Sequence, residues 1–389
     1  MKIGILTYHF ADSYGALMQA YALRAWLRGQ GHDAQFVNYH PAYVEGGGPF
    51  DAPWDLRKWK KNATILYMRL TALQRGLFGN RPYIESFEQF RKDHLGVSGP
   101  ALETLEDVAG GDLPDVLVCG SDQIWNPSAQ RGLDPVYFLQ IPGAERCYRF
   151  SYAASFGRAT LDPAFHAEAG ELLSSLDCIS VREQSGIDIV GSISGRIAVC
   201  VPDPTLLLGD FSGLLAHAAP GPSGHIFSYA LRAGEPVAAI CRQAASRLEA
   251  EVVSPFNPAR RWPKIGETIY PSPIDWLAGI DRSALVVSNS FHGIALSIIL
   301  QRPFIAASLP GAKQGLSERI RNLLILAGLE DRLVTEYDER RIDELIQTPI
   351  NWLQTEQRLR AQRKDGEQFL QLQLAAALRT RSPEQEPAS

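Results

Sequence analysis

Val286-Val287-Ser288-Asn289-Ser290-Phe291-His292-Gly293-Ile294-Ala295-Leu296-Ser297-Ile298-Ile299-Leu300 reads as a strand, a tight turn and a helix. The short valine-rich run marks a buried strand. Ser-Asn-Ser-Phe-His-Gly makes a polar turn, and the apolar stretch after it is long enough for a helix ending before Gln301-Arg302-Pro303. In an α/β protein such a turn lies at the carboxyl edge of a parallel sheet, where ligands collect. Backbone N–H groups at the start of the helix favour an anion there. His292 sits in this turn beside serine hydroxyls and Gly293, so it is the first candidate functional side chain. A core or capping histidine is the plainer alternative.

The same grammar recurs on both sides of this stretch. Lys2–Thr7 reads as a strand, Tyr8–Tyr14 as a polar loop, residues 15–30 as an amphipathic helix and residues 34–39 as the next strand. This β-α-β unit implies a parallel sheet. Its loop lacks the Gly-x-Gly-x-x-Gly spacing of a dinucleotide site. Asp115–Cys119 is a buried strand opening into the polar turn Gly120–Pro127, Tyr148–Gly157 a strand ending in small residues, and Cys178–Gly186 a short strand with a charged turn. Ile197–Val201 is stopped by Pro202-Asp203-Pro204-Thr205.

Ala218-Ala219-Pro220-Gly221-Pro222-Ser223-Gly224 is the best boundary, and a second α/β series follows from His225. The expected domains are 1–217 and 218–335, both Rossmann-like, with C-terminal helices and a Pro/Glu tail over 336–389. A basic insertion lies near residues 45–95, containing Asp55–Lys61 and Ile65–Leu70. An amphipathic basic helix suits an anionic membrane surface; an ordinary solvated insertion is the bland reading, and the preferred one.

Bulk numbers narrow the function classes. A chain of 389 residues suits two domains. A net charge of −5 lacks the strongly basic footprint of a nucleic-acid binder. The five cysteines (119, 147, 178, 200 and 241) form no Cys-x-x-Cys pair, which fits a reducing compartment and gives no structural zinc pattern. His9, His32 and His40 are too irregularly spaced to suggest a metal. The amino terminus runs straight into a strand and no uncharged run reaches spanning length, so a cytoplasmic location is expected, with peripheral contact at the cytoplasmic membrane as an option.

Taken in order, five pieces resemble the polysaccharide pyruvyl transferase family: Asp12 through Leu23, Gly120 through Pro127, Ser180 through Gly186, Asp203-Pro204-Thr205 and Ser290-Phe291-His292-Gly293. The resemblance implies two Rossmann-like domains facing across a cleft, as in GT-B glycosyltransferases. It also implies transfer of the enolpyruvyl part of phosphoenolpyruvate to a nucleotide- or lipid-linked sugar, usually as a cyclic ketal, in capsule, exopolysaccharide or cell-wall assembly. Phosphoenolpyruvate would be a co-substrate, with no other cofactor and no metal. Family members often carry an arginine two residues before the histidine, where this chain has Ser290.

A donor bearing a phosphate and a carboxylate calls for fixed positive groups, and arginine forks bond oxyanions in pairs. The candidates are Arg182 and His292, with Lys313 and Arg319 as replacements for the charge missing at Ser290. Backbone N–H groups around Gly293 would add donors. The chemistry needs a general acid, for which histidine is suited, and Asp122 is the candidate base or sugar-orienting group. Asp12, Tyr14 and Gly15 are candidates for the acceptor side, and Trp125 for stacking on a sugar. Each has a structural alternative: Arg182 paired with Glu183 or Asp188, Asp122 as a cap, Lys313 and Arg319 solvated, Trp125 in the core, Gly15 serving a tight turn. Two other functions compete. A glycosyltransferase with a nucleotide-sugar donor would need a ribose-binding carboxylate such as Glu267 or Asp275, and a non-catalytic glycan-assembly binding protein would use the basic segment and helical tail.

Overall fold

The computed structural model describes residues 1–41, 43–44, 59, 62–63, 66, 80–130, 132–231, 235–257, 265–308 and 314–381. Most of the basic insertion, Lys313 and the tail over 382–389 lie outside them. The described residues divide into two compact units: Met1–Asp12, Arg24–Cys200 and Leu370–Ser389 in the first, Ser13–Leu23 and Val201–Phe369 in the second. This division falls between Cys200 and Val201, whereas the sequence places its boundary in the Pro/Gly linker after residue 217.

The first unit carries β1 (Lys2–Leu6), the end of α1 (Tyr14–Gly29), β2 (Asp33–Phe36), α2 (Arg81–Asp93), β3 (Val116–Gly120) and β4 (Tyr148–Tyr152). These strands form a parallel sheet in the order β2-β1-β3-β4, with Ile5 opposite Phe36 on one side and Val118 on the other. After α3 (His166–Ser174), β5 (Ile179–Val181) joins β4 through the bridges Phe150–Cys178 and Ala154–Val181. Reciprocal hydrogen bonds between Ser151 and Ser180 stitch that seam. Beyond α4 (Gln184–Ser194), β6 (Ala198–Cys200) pairs with β5. Glu183 therefore flanks a helix that begins at Gln184, where the sequence suggested only a charged turn. The core gathers Leu6, Leu117, Trp125, Tyr137, Phe138, Leu173 and Val181. In α2, Tyr83, Phe87 and Phe90 recur at helical spacing on the buried face, and Asn80 caps its start.

The second unit carries the start of α1, then α5 (Pro204–Leu208), β7 (Ile226–Tyr229), α6 (Glu235–Leu248), β8 (Val252–Pro255), β9 (Glu267–Ile269), α7 (Pro273–Asp281), β10 (Leu285–Ser288), α8 (Phe291–Ile299), β11 (Phe304–Ala307), α9 (Gln314–Ala327), β12 (Leu333–Val334) and α10 (Glu339–Gln347). Its strands run parallel in the order β12-β11-β10-β7-β8-β9. Strand β10 is apolar along nearly its whole length because both faces are covered. Leu285 and Val287 meet Val237 and Ile240 of α6, while Ser288 turns to α8. The long helix α11 (Trp352–Arg381) starts in this unit, where the Arg363 guanidinium donates to the Leu206 carbonyl at 3.1 Å. Among the described residues no helix is long and apolar enough to cross a membrane.

Candidate functional site

In each sheet, chain progression reverses between two central strands: β1 and β3 in the first unit, β7 and β10 in the second. The carboxyl ends of such strands form the crevice in which open α/β sheets bind ligands. Among the candidates, Asp12 and Asp122 follow β1 and β3 in the first unit, and Ser290, His292 and Gly293 follow β10 in the second.

In the second unit, Ser290 caps α8, its hydroxyl accepting from the Gly293 amide at 3.4 Å. The helix therefore starts at Phe291, and His292 belongs to its first turn rather than to the loop expected before it. The Gly293 N–H, expected as a ligand donor, is taken up by this cap. Gly293 is small for a packing reason: a Cβ there would lie 2.5 Å from the Ser288 hydroxyl. Asn289 holds the neighbouring loop by accepting from the Leu231 amide at 2.8 Å.

The His292 side chain is 10% exposed, and its Nε2 faces Asp203 Oδ2 at 3.6 Å. Asp203 is fully buried; its Oδ1 accepts from the Thr205 amide at 2.9 Å and the Thr205 hydroxyl at 2.7 Å, capping α5. The other carboxylate oxygen is thereby aimed at the imidazole. Gly15 lies against the opposite side of the ring, where an added Cβ would sit 2.3 Å from Nδ1. Its backbone is not left-handed, so close approach rather than the turn explains this glycine. Tyr14 is buried, stacks on Trp276 with centroids 4.9 Å apart and donates to the Pro271 carbonyl at 2.9 Å. Arg319 is buried in α9, a helix that packs against α8. Asp275 serves the start of α7, accepting from the Ser272 hydroxyl at 2.7 Å and the Ala219 amide at 3.0 Å. Glu267 lies exposed on β9.

In the first unit, Asp122 takes a left-handed backbone (φ 64°) just after β3, and its carboxylate accepts from the Gln123 amide at 2.8 Å. Arg182 is paired with Glu183 at 3.0 Å, the two side chains 3% and 8% exposed, and reaches the Ser121 hydroxyl at 3.5 Å. That is the structural pairing the sequence allowed as an alternative to an open donor-binding fork. Asp12 pairs with Arg91 at 2.8 Å, tying α2 to the loop after β1. Trp125 stacks on Phe138 and donates to the Tyr137 carbonyl, a core residue.

Two residues here drew no functional reading from the sequence, Arg91 and His9. His9 is buried, with Nδ1 3.0 Å from the Thr7 carbonyl and Nε2 3.2 Å from Asn38 Oδ1. The Asn38 amide nitrogen donates to the Gly99 and Pro100 carbonyls, so its oxygen faces the ring. Burial outweighs these two acceptors and brings the His9 pKa down to about 4 from the ordinary 6.5. Between those values the unfolded chain binds a proton that the fold refuses. Stability contributed above pH 6.5 is therefore lost as the pH falls toward 4. The thermal midpoint should drop across that window, and His9→Gln should flatten that part of the pH dependence. An equal slope in wild type and variant would contradict the account.

The chain is α/β with parallel sheets, and the His292–Asp203 pair lies at a strand edge of the second unit. A sequence model described as polysaccharide pyruvyl transferase matches residues 14–309, and the chain belongs to that transferase family. Among curated proteins no sequence match reaches significance. The fold is shared with a UDP-N-acetylglucosamine 2-epimerase from Rickettsia bellii, at 9% identity, 98% coverage of each chain and a TM-score of 0.51. Also similar are the glycosyltransferase of kitacinnamycin (13% identity, 96% and 98% coverage, TM-score 0.47) and a UDP-GlcNAc 2-epimerase from Methanocaldococcus jannaschii (10%, 90% and 93%, 0.45).

Proposed function

We propose that the protein transfers the pyruvate unit of phosphoenolpyruvate to a sugar of a cell-surface glycan precursor, closing a ketal across two hydroxyls. Membership of the family supports the reaction class. The observation that carries the site is the His292–Asp203 pair at the carboxyl edge of the second sheet. In this reading a proton reaches the methylene carbon of the donor and leaves an oxocarbenium-like centre. One sugar hydroxyl attacks that centre, phosphate departs, and a second hydroxyl closes the ring. The two hydroxyl protons balance the new methyl group and the released phosphate. His292 supplies or relays the proton, a role suited to an imidazole near neutral pH.

The remaining candidates take parts in the same proposal. Ser290 shapes the start of α8, and Arg319 and Lys313 supply charge for the donor's oxyanions. Asp122 and Asp12 stand on the acceptor side, in the first unit. Arg182, balanced by Glu183, supports the Ser121–Asp122 turn. The acceptor is a nucleotide- or lipid-linked sugar, and the reaction runs in the cytoplasm, where phosphoenolpyruvate is made.

A ligand that binds only the native state raises the thermal midpoint. Phosphoenolpyruvate should raise it and UDP-sugars should not. The reverse result would favour a nucleotide-sugar transferase, and no shift with either would favour a binding protein.

A further inference from the structure

We infer that His292 works through Nδ1, with Asp203 holding Nε2 from behind and Gly15 keeping Nδ1 uncovered. The chemical role assigned to the ring rests on the donor reading above; the choice of nitrogen rests on geometry alone. Nε2 is shut off from solvent and has no hydrogen-bond partner among the described residues, and Asp203 Oδ2 faces it at 3.6 Å. Catalytic hydrogen bonds are often this long before a ligand binds and tighten afterwards. Asp203 cannot easily turn away, because both Thr205 groups hold its other oxygen.

A buried carboxylate facing one ring nitrogen keeps a proton there and thereby decides what the other nitrogen does. The neutral ring then carries its lone pair on Nδ1, and the charged ring carries a transferable proton on Nδ1. Nε2 itself is shut off, so what exposure the ring retains lies elsewhere on it. Helices disfavour glycine in their interiors, and here an added Cβ would fall 2.3 Å from Nδ1 and 2.7 Å from Cγ. The missing side chain thus keeps the working nitrogen clear.

Gly15 and His292 are each the second residue of their helices, α1 and α8. Both amino-terminal ends therefore lie at Nδ1, an arrangement favouring an oxyanion beside it. The proton leaves Nδ1 for the donor, Nε2 keeps its own toward Asp203, the carboxylate stays ionised, and the ring recovers its proton from the attacking sugar hydroxyl. Asp203 and Gly15 are positioning residues in this scheme.

The test is the tautomer of His292 in the full-length protein labelled with ¹⁵N-histidine, read from two-bond ¹H–¹⁵N correlations and assigned by its loss in His292→Gln. For the neutral ring the expected spectrum is that of the Nε2–H tautomer, and Asp203→Asn should convert it to a mixture. In turnover, Asp203→Asn should cost about 10- to 100-fold. His292→Asn, which puts an amide nitrogen where Nδ1 was, should keep more of the stabilisation by phosphoenolpyruvate than His292→Gln, which puts one at Nε2. An Nδ1–H tautomer, or a spectrum that ignores Asp203→Asn, overturns the assignment. The expected tautomer without any response to phosphoenolpyruvate supports the assignment and removes the donor instead.

Discussion

Replacing His292 by alanine is expected to lower kcat/KM for phosphate release from phosphoenolpyruvate by about 100- to 1000-fold, the usual cost of losing a group aimed at charge developing in the transition state. The ring is hemmed in, with Nε2 facing Asp203 and Gly15 abutting the other side. Because His292 is buried, a folding defect must be separated from a chemical one. His292→Asn serves, since it keeps a polar side chain of smaller reach at the start of α8. Both variants should retain the wild-type circular dichroism spectrum, and alanine should lose turnover far beyond any change in KM. A loss below tenfold in a folded alanine variant would remove His292 from the chemistry.

The largest effect on stability is expected at Glu183. Its carboxylate neutralises Arg182 at 3.0 Å and accepts from the Ser155 hydroxyl at 3.1 Å, all in a buried setting. Removing one member of a buried ion pair strands the other charge and costs about 3–5 kcal/mol, whereas replacing both by apolar residues of similar volume is often close to neutral. Glu183→Ala should therefore lower the urea midpoint with little change in slope, and Arg182→Met combined with Glu183→Leu should recover most of the loss. The double variant also separates two roles for Arg182. If the guanidinium only supports the Ser121–Asp122 turn, a stable double variant keeps its affinity for phosphoenolpyruvate. If it grips the donor, the variant is stable but fails to bind. A Glu183→Ala protein as stable as wild type would contradict the buried-pair account.

Much of the fold could be read from the chain because burial imposes repeating patterns. The valines of β10 and β3 stand in strands covered on both faces, so they form continuous apolar runs. Helix α6 declared itself by helical periodicity and α10 by the charged run that begins at Asp338. What escaped reading lacked such a pattern. Strand β9 is Glu-Thr-Ile with its first residue exposed, and α3 buries only Ala169, Leu172 and Leu173.

The site was legible in its residue types more than in its pairings. His292 stood out because a polar turn between an apolar strand and an apolar helix is an exposed edge. Its approach to Asp203 joins segments far apart in the chain, and Asp-Pro-Thr reads as a strand stop and a motif with no partner assigned. Tyr14 and Trp125 sit in motifs, and each is buried with its polar tip satisfied on a backbone carbonyl. Gly15 could be read as a glycine required by a turn; only the imidazole lying against it gives the actual reason.

The most direct measurement is ³¹P and ¹H spectroscopy of the pure protein with phosphoenolpyruvate and a panel of nucleotide- and lipid-linked sugars. The account predicts that the phosphoenolpyruvate phosphorus resonance gives way to inorganic phosphate only when an acceptor is present, with one new methyl singlet per phosphate released and neither signal in His292→Ala. Phosphoenolpyruvate left intact with every acceptor while a UDP-sugar is consumed would contradict it.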